Sequence, residues 1–270
     1  MQTEILVVKI GGAAGIDPTE VCVEISALQR EGYQVIVVHG GSERANRLGM
    51  QLGHPPQFIT SPSGHLSRYT DAHAREIFVR ATTELNHEIV QKLMGCGVSA
   101  NGLAGLGRCV IYGRRKTALR AQENGRVRII RDDYSGRICG VNAIDLWRML
   151  ANDHVPVIPP VAWDADDGLL NIDGDRCAAA VASAMGAREM ILLSNVPGLM
   201  RAFPDERSLV PQVQRRDLAQ AMLWAQGRMK RKVLSVSEAL EGGVGRVGLA
   251  DGRVQQPLRN ALAGGGTWFG

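Results

Sequence analysis

The stretch that most limits what this chain can become is Glu4-Ile-Leu-Val-Val-Lys-Ile-Gly-Gly12. Ile5 to Val8 is a short, unbroken apolar block, the pattern of a strand buried on both faces in a parallel sheet. Lys9 interrupts the apolar run at its carboxyl end, and two glycines follow at once. Open α/β sheets bind ligands outside the carboxyl ends of their strands. Glycines there let bare backbone amides approach an anion closely. Taken alone, the motif fits an anion site and a snorkelling lysine beside a plain turn equally well.

The pattern then repeats. Asp17-Pro18 reads as an N-cap with proline at the first helical position, and Val21, Ile25 and Leu28 recur at helical spacing up to Glu31-Gly32. Gln34 to Val38 is a second buried strand, and it runs into His39-Gly40-Gly41-Ser42. This is the rhythm of a βαβ unit. Two glycine turns at one sheet edge are expected to face each other across a ligand, whereas His39, packed beside a turn, reads as structural. Glu43 to Leu52 continues as a helix. Gly53-His-Pro-Pro56 and Ser61-Pro-Ser-Gly64 frame a loop too rich in proline to be regular. Thr70 or Asp71 caps the long helical pattern through Ile77, Leu85, Ile89 and Leu93. Arg68, just outside it, either forks onto a carboxylate or is a solvated charge, and its position alone favours the second.

From Val98 to Val141 the pattern changes to short strands and turns, read as hairpins lying on the parallel sheet. Here composition enters the argument. The net charge is only +4, yet nine Lys/Arg face three acids between Arg108 and Arg137, leaving 22 basic and 24 acidic residues elsewhere. A positive excess confined to one segment, with Arg114-Arg115-Lys116 inside it, asks for an acidic partner at one place rather than a surface that coats nucleic acid. The plainer reading is a solvated hairpin face. Alternation in Arg126-Val-Arg-Ile129 puts both arginines on one side, and charged edges deter aggregation.

In the second half, Asn142 to Leu150 is a helix and Val155 to Ile158 a strand closed by two prolines. The polar turn Asp164–Gly168 is the expected boundary between a lobe of residues 1–165 and one of 166–270. Asn171-Ile-Asp-Gly-Asp175 leads into an alanine-rich helix that Asp173 can cap and that ends at Gly186. Met190 to Leu193 is another buried strand, followed by Ser194-Asn-Val-Pro-Gly198. Gln226-Gly-Arg-Met-Lys-Arg-Lys232 opens a helix with cations against its macrodipole, an arrangement a bound polyanion would justify. Val244 to Leu249 is a last strand, with the glycine-rich tail a short docked end.

Several classes drop out. No apolar run is long enough for a membrane span or follows a basic start like a signal peptide. Five scattered cysteines argue against a disulfide framework or structural zinc, and together these features point to the cytoplasm. There is no P-loop motif, and Lys9 to Gly15 lacks the glycine register of a nicotinamide-binding turn.

Taken together, V-V-K-I-G-G at Val7, V-V-H-G-G at Val37, S-R-Y-T-D at Ser67, N-I-D-G-D at Asn171, S-N-V-P-G-L at Ser194 and G-R-M-K-R-K-V at Gly227 resemble the amino acid kinase family, acetylglutamate kinase branch. Gly53-His-Pro-Pro56, Gly113-Arg-Arg-Lys-Thr-Ala118 and Gln226 to Lys232 resemble the carrier-dependent lysine-pathway members of that branch. The resemblance implies a three-layer α/β sandwich with a mainly parallel central sheet, the carbamate kinase-like fold, plus a basic hairpin region. It implies ATP and Mg2+, a homodimer, and transfer to the distal carboxylate of 2-aminoadipate joined to a small acidic LysW-like carrier protein. Carrier-bound glutamate is a second acceptor of some relatives. By the same resemblance, Lys9 and Lys232 are transition-state lysines, Asp175 positions them, and Gly40, Gly41, Arg68 and Asn171 hold the acceptor. Gly11, Gly12, Ser194, Asn195, Gly198 and Lys230 fall to the nucleotide, and Arg114, Arg115 and Lys116 to the carrier. No protein ligand of a metal is implied. Asn195 stands where many acetylglutamate kinases carry aspartate, which leaves any role for an acid there open. The alternatives are a kinase of free N-acetylglutamate and a non-catalytic nucleotide-binding module, and the presence of both lysines and Asp175 speaks against the second.

Overall fold

The computed structural model describes residues 4–13, 15–62, 64, 66–105, 107–123 and 126–270. It begins with β1 (Ile5–Ile10), α1 (Pro18–Arg30), β2 (Gln34–His39) and α2 (Ser42–Gln51). Next come β3 (Gln57–Thr60), β4 (Leu66–Tyr69), α3 (Ala72–Gly95) and β5 (Ala100–Gly102). The basic segment holds β6 (Ile111–Arg115), β7 (Leu119–Glu123), β8 (Arg126–Ile130) and β9 (Gly136–Val141). Then follow α4 (Ala143–Leu150), β10 (Val155–Ile158), β11 (Val161–Asp164), β12 (Gly168–Asn171), α5 (Gly174–Ala184) and β13 (Glu189–Ser194). The chain closes with β14 (Gln212–Val213), α6 (Leu218–Trp224), α7 (Arg228–Glu241), β15 (Arg246–Asp251), α8 (Pro257–Leu262) and β16 (Thr267–Phe269).

Eight strands form one sheet in the order β14-β16-β15-β13-β1-β2-β10-β5, with β15–β16 its antiparallel pair. β1 is buried along its whole length, and its alternation sorts the core. Ile5 and Val7 face the apolar cluster that includes residues of α4, α5, α6 and α7. Leu6, Val8 and Ile10 face the cluster that includes residues of α1, α3 and α8. The result is three layers, helices on both sides of a mostly parallel sheet, as expected. Lys9 shares the parity of Ile5 and Val7, which aims it at α5 and α7.

Local chemistry sets the helix ends as the sequence predicts. Asp17 accepts from Thr19 N at 2.8 Å and Asp71 from Ala74 N at 2.7 Å. The short α8 has no side-chain cap of its own. Buried Glu24 of α1 supplies it, accepting from Leu258 N at 3.0 Å and Arg259 N at 2.7 Å.

Four expectations need correction. The proline-rich segment after α2 is not irregular: β3 and β4 pair antiparallel from Gln57↔Tyr69 to Thr60↔Leu66. The prolines flank the strands rather than enter them. Residues 100–102 are not a hairpin on the sheet but its edge strand, parallel to β10. β6 and β9 belong to a second sheet, β12-β11-β6-β9, and β7–β8 is a separate ribbon. Residues 126–129 of that ribbon are exposed on both faces. The docked tail is more than a tail, since β16 pairs with both β15 and β14.

The turn at Asp164–Gly168 closes the β11–β12 hairpin of the second sheet. At the centre of the main sheet β1 pairs with β13, from Leu6↔Glu189 to Ile10↔Leu193, so strands from either side of that turn form the middle of one sheet.

Candidate active site

β1, β2 and β13 end in register, Ile10 lying beside both His39 and Leu193. The turns that follow them therefore meet. The two glycine turns do not face each other across a ligand, as the sequence suggested, but touch. A Cβ on Gly40 would stand 2.4 Å from Gly12 N, and one on Gly12 2.5 Å from Gly41 N. Glu43 N donates to Gly12 O at 3.0 Å, and α2 starts at Gly41 with no side-chain cap. Gly41 and Ser42, at its start, line the cleft described below.

His39 is structural, as read. Its Nδ1 lies 2.7 Å from Gly40 O and its Nε2 3.0 Å from Asn86 Nδ2, which also donates to Val157 O. The tautomer that fits carries its proton on Nδ1. Burial holds this imidazole down at about 4, so it is neutral in the folded protein at neutral pH. The unfolded chain takes up that proton below about 6.5, so stability falls as pH drops from there toward 4. The expected loss from this group is roughly 3 kcal/mol. Denaturant unfolding at pH 7 and pH 4 should show it, and His39→Gln should remove that part of the slope. Equal slopes in both proteins would show that His39 is not the titrating group.

The centre of the site is a buried ion triad. Lys9 Nζ lies 2.7 Å from Asp175 Oδ1, and Lys232 Nζ lies 2.9 Å from Oδ2. One lysine comes from β1, the other from the first turns of α7, and the carboxylate from the start of α5. Asp173 caps α5 with one oxygen, accepting from Asp175 N at 3.0 Å and Arg176 N at 3.1 Å. Burial works to raise the Asp175 carboxyl, but Lys232 and Lys9 outweigh it and hold it well below the usual range. Burial lowers Lys232, with Asp175 opposing and Lys9 adding to the fall.

The triad opens on a cleft of about 460 Å³. Gly11, Gly12, Gly40, Gly41, Ser194 and Asn195 line it, as do Arg68 and Asn171. Arg68 is not the solvated charge its position suggested. It is half-buried, lies over the Phe58 ring at 5.3 Å, and donates to Ser42 O at 3.3 Å and to Asn46 Oδ1. Asn171 Nδ2 donates to Thr70 Oγ1 at 2.9 Å. Two nucleotide candidates lie elsewhere. Gly198 is packed so tightly that a Cβ would meet Thr267 Oγ1 at 2.6 Å, and Lys230 is exposed outside the lining.

The basic tripeptide divides. Arg114 pairs with Asp166 at 2.7 Å and Asp164 at 3.4 Å. Arg115 pairs with Asp167 at 2.8 Å and stacks on Tyr134 at 4.0 Å. Only Lys116 of the three reaches the cleft, where crowding by the walls lowers its ammonium despite its exposure. The charge count missed these pairings because the three aspartates lie beyond the segment counted. Phe58, Arg137, Arg228 and Arg231 also line the cleft, and sequence reading gave them no role. For the last two, the cations set against the α7 dipole were the available signal.

A family model for the amino acid kinase family matches residues 4–251. The [LysW]-aminoadipate kinase of Thermus thermophilus is 44% identical over 265 residues, covering 97% of this chain and 98% of its own. The [LysW]-aminoadipate kinase of Deinococcus radiodurans is 43% identical over 263 residues, covering 97% and 90%. Among solved structures, N-acetylglutamate synthase from Neisseria gonorrhoeae shares the fold with a TM-score of 0.79 at 22% identity, over 98% of this chain and 59% of that one.

Proposed function

The chain belongs to the amino acid kinase family, and from that premise we propose that it transfers the γ-phosphoryl group of ATP to the distal carboxylate of 2-aminoadipate borne by a small acidic LysW-like carrier. Carrier-bound glutamate is included as a second acceptor. The observation that carries the reading is the Lys9–Asp175–Lys232 triad at the floor of the cleft. A carboxylate acceptor is already ionised at neutral pH and needs no strong base. The obstacle is the approach of two anions in line while charge spreads over the transferring oxygens. Two ammonium groups fixed on one buried carboxylate are aimed before substrate arrives, which is the condition for stabilising that charge.

On this reading residues 1–165 supply most of the acceptor site, through Gly40, Gly41 and Arg68, with Asn171 just beyond. Residues 166–270 supply most of the nucleotide site, with Ser194 and Asn195 beside Gly11 and Gly12. Among the described residues no three His, Cys, Asp or Glu side chains converge on a metal position. On this reading Mg2+ arrives with the triphosphate, since it keeps several waters and takes few protein ligands. On this reading Lys116, which lines the cleft, meets the carrier's tail, while Arg114 and Arg115 are paired with Asp164, Asp166 and Asp167. No helix among the described residues is long and apolar enough to cross a membrane, and the reading places a homodimer in the cytoplasm.

The experiment is a phosphorylation assay with carrier-bound aminoadipate, carrier-bound glutamate, free N-acetylaminoadipate and free N-acetylglutamate. Preference for the carrier-bound acids is expected, and turnover of the free acids alone would overturn the carrier. Within the same assay Arg68→Lys should raise the acceptor Michaelis constant about tenfold, because an ammonium cannot reproduce a guanidinium fork. The ATP constant should stay within twofold, and wild-type behaviour would remove Arg68 from acceptor binding.

A further inference from the structure

Arg231, on α7, reaches the β3–β4 hairpin on one side and the cap of α5 on the other. Its Nη2 donates to Ser67 Oγ of β4 at 2.8 Å, and its Nη1 lies 3.5 Å from Asp173 Oδ2. The other oxygen of Asp173 caps α5 at the amide of Asp175 itself. Arg231 also precedes Lys232 on α7. A continuous polar chain thus runs from the β3–β4 hairpin, through Arg231 and the α5 cap, to the backbone amide of Asp175, the residue whose carboxylate holds both lysines.

The hairpin is a loosely held element. Its strands are exposed or half-buried throughout, and segments with little buried apolar contact open most easily. It carries Phe58, Leu66, Ser67 and Arg68 into the cleft wall. One of its attachments is Arg68 on α2, through Ser42 O and Asn46. Another is Ser67 on Arg231, beside Tyr69 on Asp132 and the packing of β3 against β7.

We propose that Arg231 is a positioning residue that latches the β3–β4 hairpin to the α5 cap, linking closure over the acceptor to the aim of Asp175, Lys9 and Lys232. This rests on the proposed phosphoryl transfer only for its catalytic consequence. The latch itself is a property of the unliganded protein. Arginine suits the position because its planar fork addresses a hydroxyl and a carboxylate at once, which an ammonium does not. Small misplacement of catalytic groups is costly, about a hundredfold per ångström in unfavourable cases.

The test has two arms. Amide hydrogen exchange in β3 and β4 of the ligand-free protein should speed up about tenfold in Arg231→Met and in Ser67→Ala, with no further gain in the double variant. In the assay, Arg231→Met should lower kcat about tenfold or more and leave the ATP Michaelis constant within twofold. Arg231→Lys, which keeps the charge, should recover only part of the loss. Unchanged hairpin exchange overturns the latch, as does wild-type turnover in Arg231→Lys or a double variant whose effects multiply. Ser67→Ala, a mild change, keeps the test valid should Arg231→Met fold poorly. If exchange responds as expected but no acceptor is phosphorylated, the reaction is wrong and the latch stands. If acceptor is turned over while exchange stays unchanged, the reaction stands and the latch falls.

Discussion

Lys232→Met and Lys9→Met are each expected to lower kcat by about a hundredfold or more, the scale for losing one preorganised transition-state donor. Methionine keeps much of the apolar stem, so packing against α5 is disturbed little. Both Michaelis constants should stay within a few-fold if, as proposed, the lysines act on charge that grows during transfer rather than on bound substrate. Removing both lysines should cost less than the product of the single losses, since they share one carboxylate. Steady-state kinetics of the three variants decides the matter. A single variant with near-normal turnover would take that lysine out of the mechanism.

Asp175→Asn should be nearly as damaging, for a different reason. The carboxylate is buried between two ammonium groups, and removing its charge leaves two cations close together in a site poor in water. Breaking a buried pair from one side typically costs about 3–5 kcal/mol, so both thermal stability and turnover should fall. The pH dependence is diagnostic. Lys232 is lowered by burial and by Lys9, and Asp175 is the opposing influence that raises it. Without that influence its pKa moves further down. The alkaline limb of the kcat profile, where Lys232 loses its proton, should therefore shift to lower pH in Asp175→Asn. In the wild type Asp175 stays ionised far into acid, so it adds no limb near neutrality. An alkaline limb that stayed in place would mean that Lys232 does not sense Asp175.

What the sequence disclosed and what it hid follow from how each element is stabilised. β1, β2 and β13 are buried on both faces and therefore read as solid apolar blocks. The helices beneath them announce themselves through Asp17, Asp71 and Asp173 as caps. β3 and β4 carry no such mark, because their strands are half-exposed and flanked by proline and glycine. β5 was misread because three residues, Ala-Asn-Gly, are extended only by pairing with β10. In the site, Lys9 and the glycine turns were visible because the fold alone puts ligands at strand ends. The convergence of Lys9, Asp175 and Lys232 was reachable only through family resemblance, since residues so far apart in the chain leave no spacing to read. The bond between Arg231 and Ser67 was invisible for the same reason, although the cations against the α7 dipole had marked Arg231 itself.

The pairing of β1 with β13 bears on how such a protein can be inherited. A chain divided near Asp164–Gly168 would leave each fragment with a long apolar strand whose partner is on the other, and an unpaired hydrophobic edge invites aggregation. The halves are thus poor units for recombination or fusion, although on the proposed reading each supplies a different side of the reaction. An imported second half must bring a strand that matches Leu6 to Ile10 in register, and a slip of one residue turns every side chain to the opposite face. It would also carry Asp175 and Lys232 out of line with Lys9. Any lineage that trades second halves must therefore trade across the central seam intact, so new specificity is more readily acquired at the hairpin and the basic sheet, which can change without touching it.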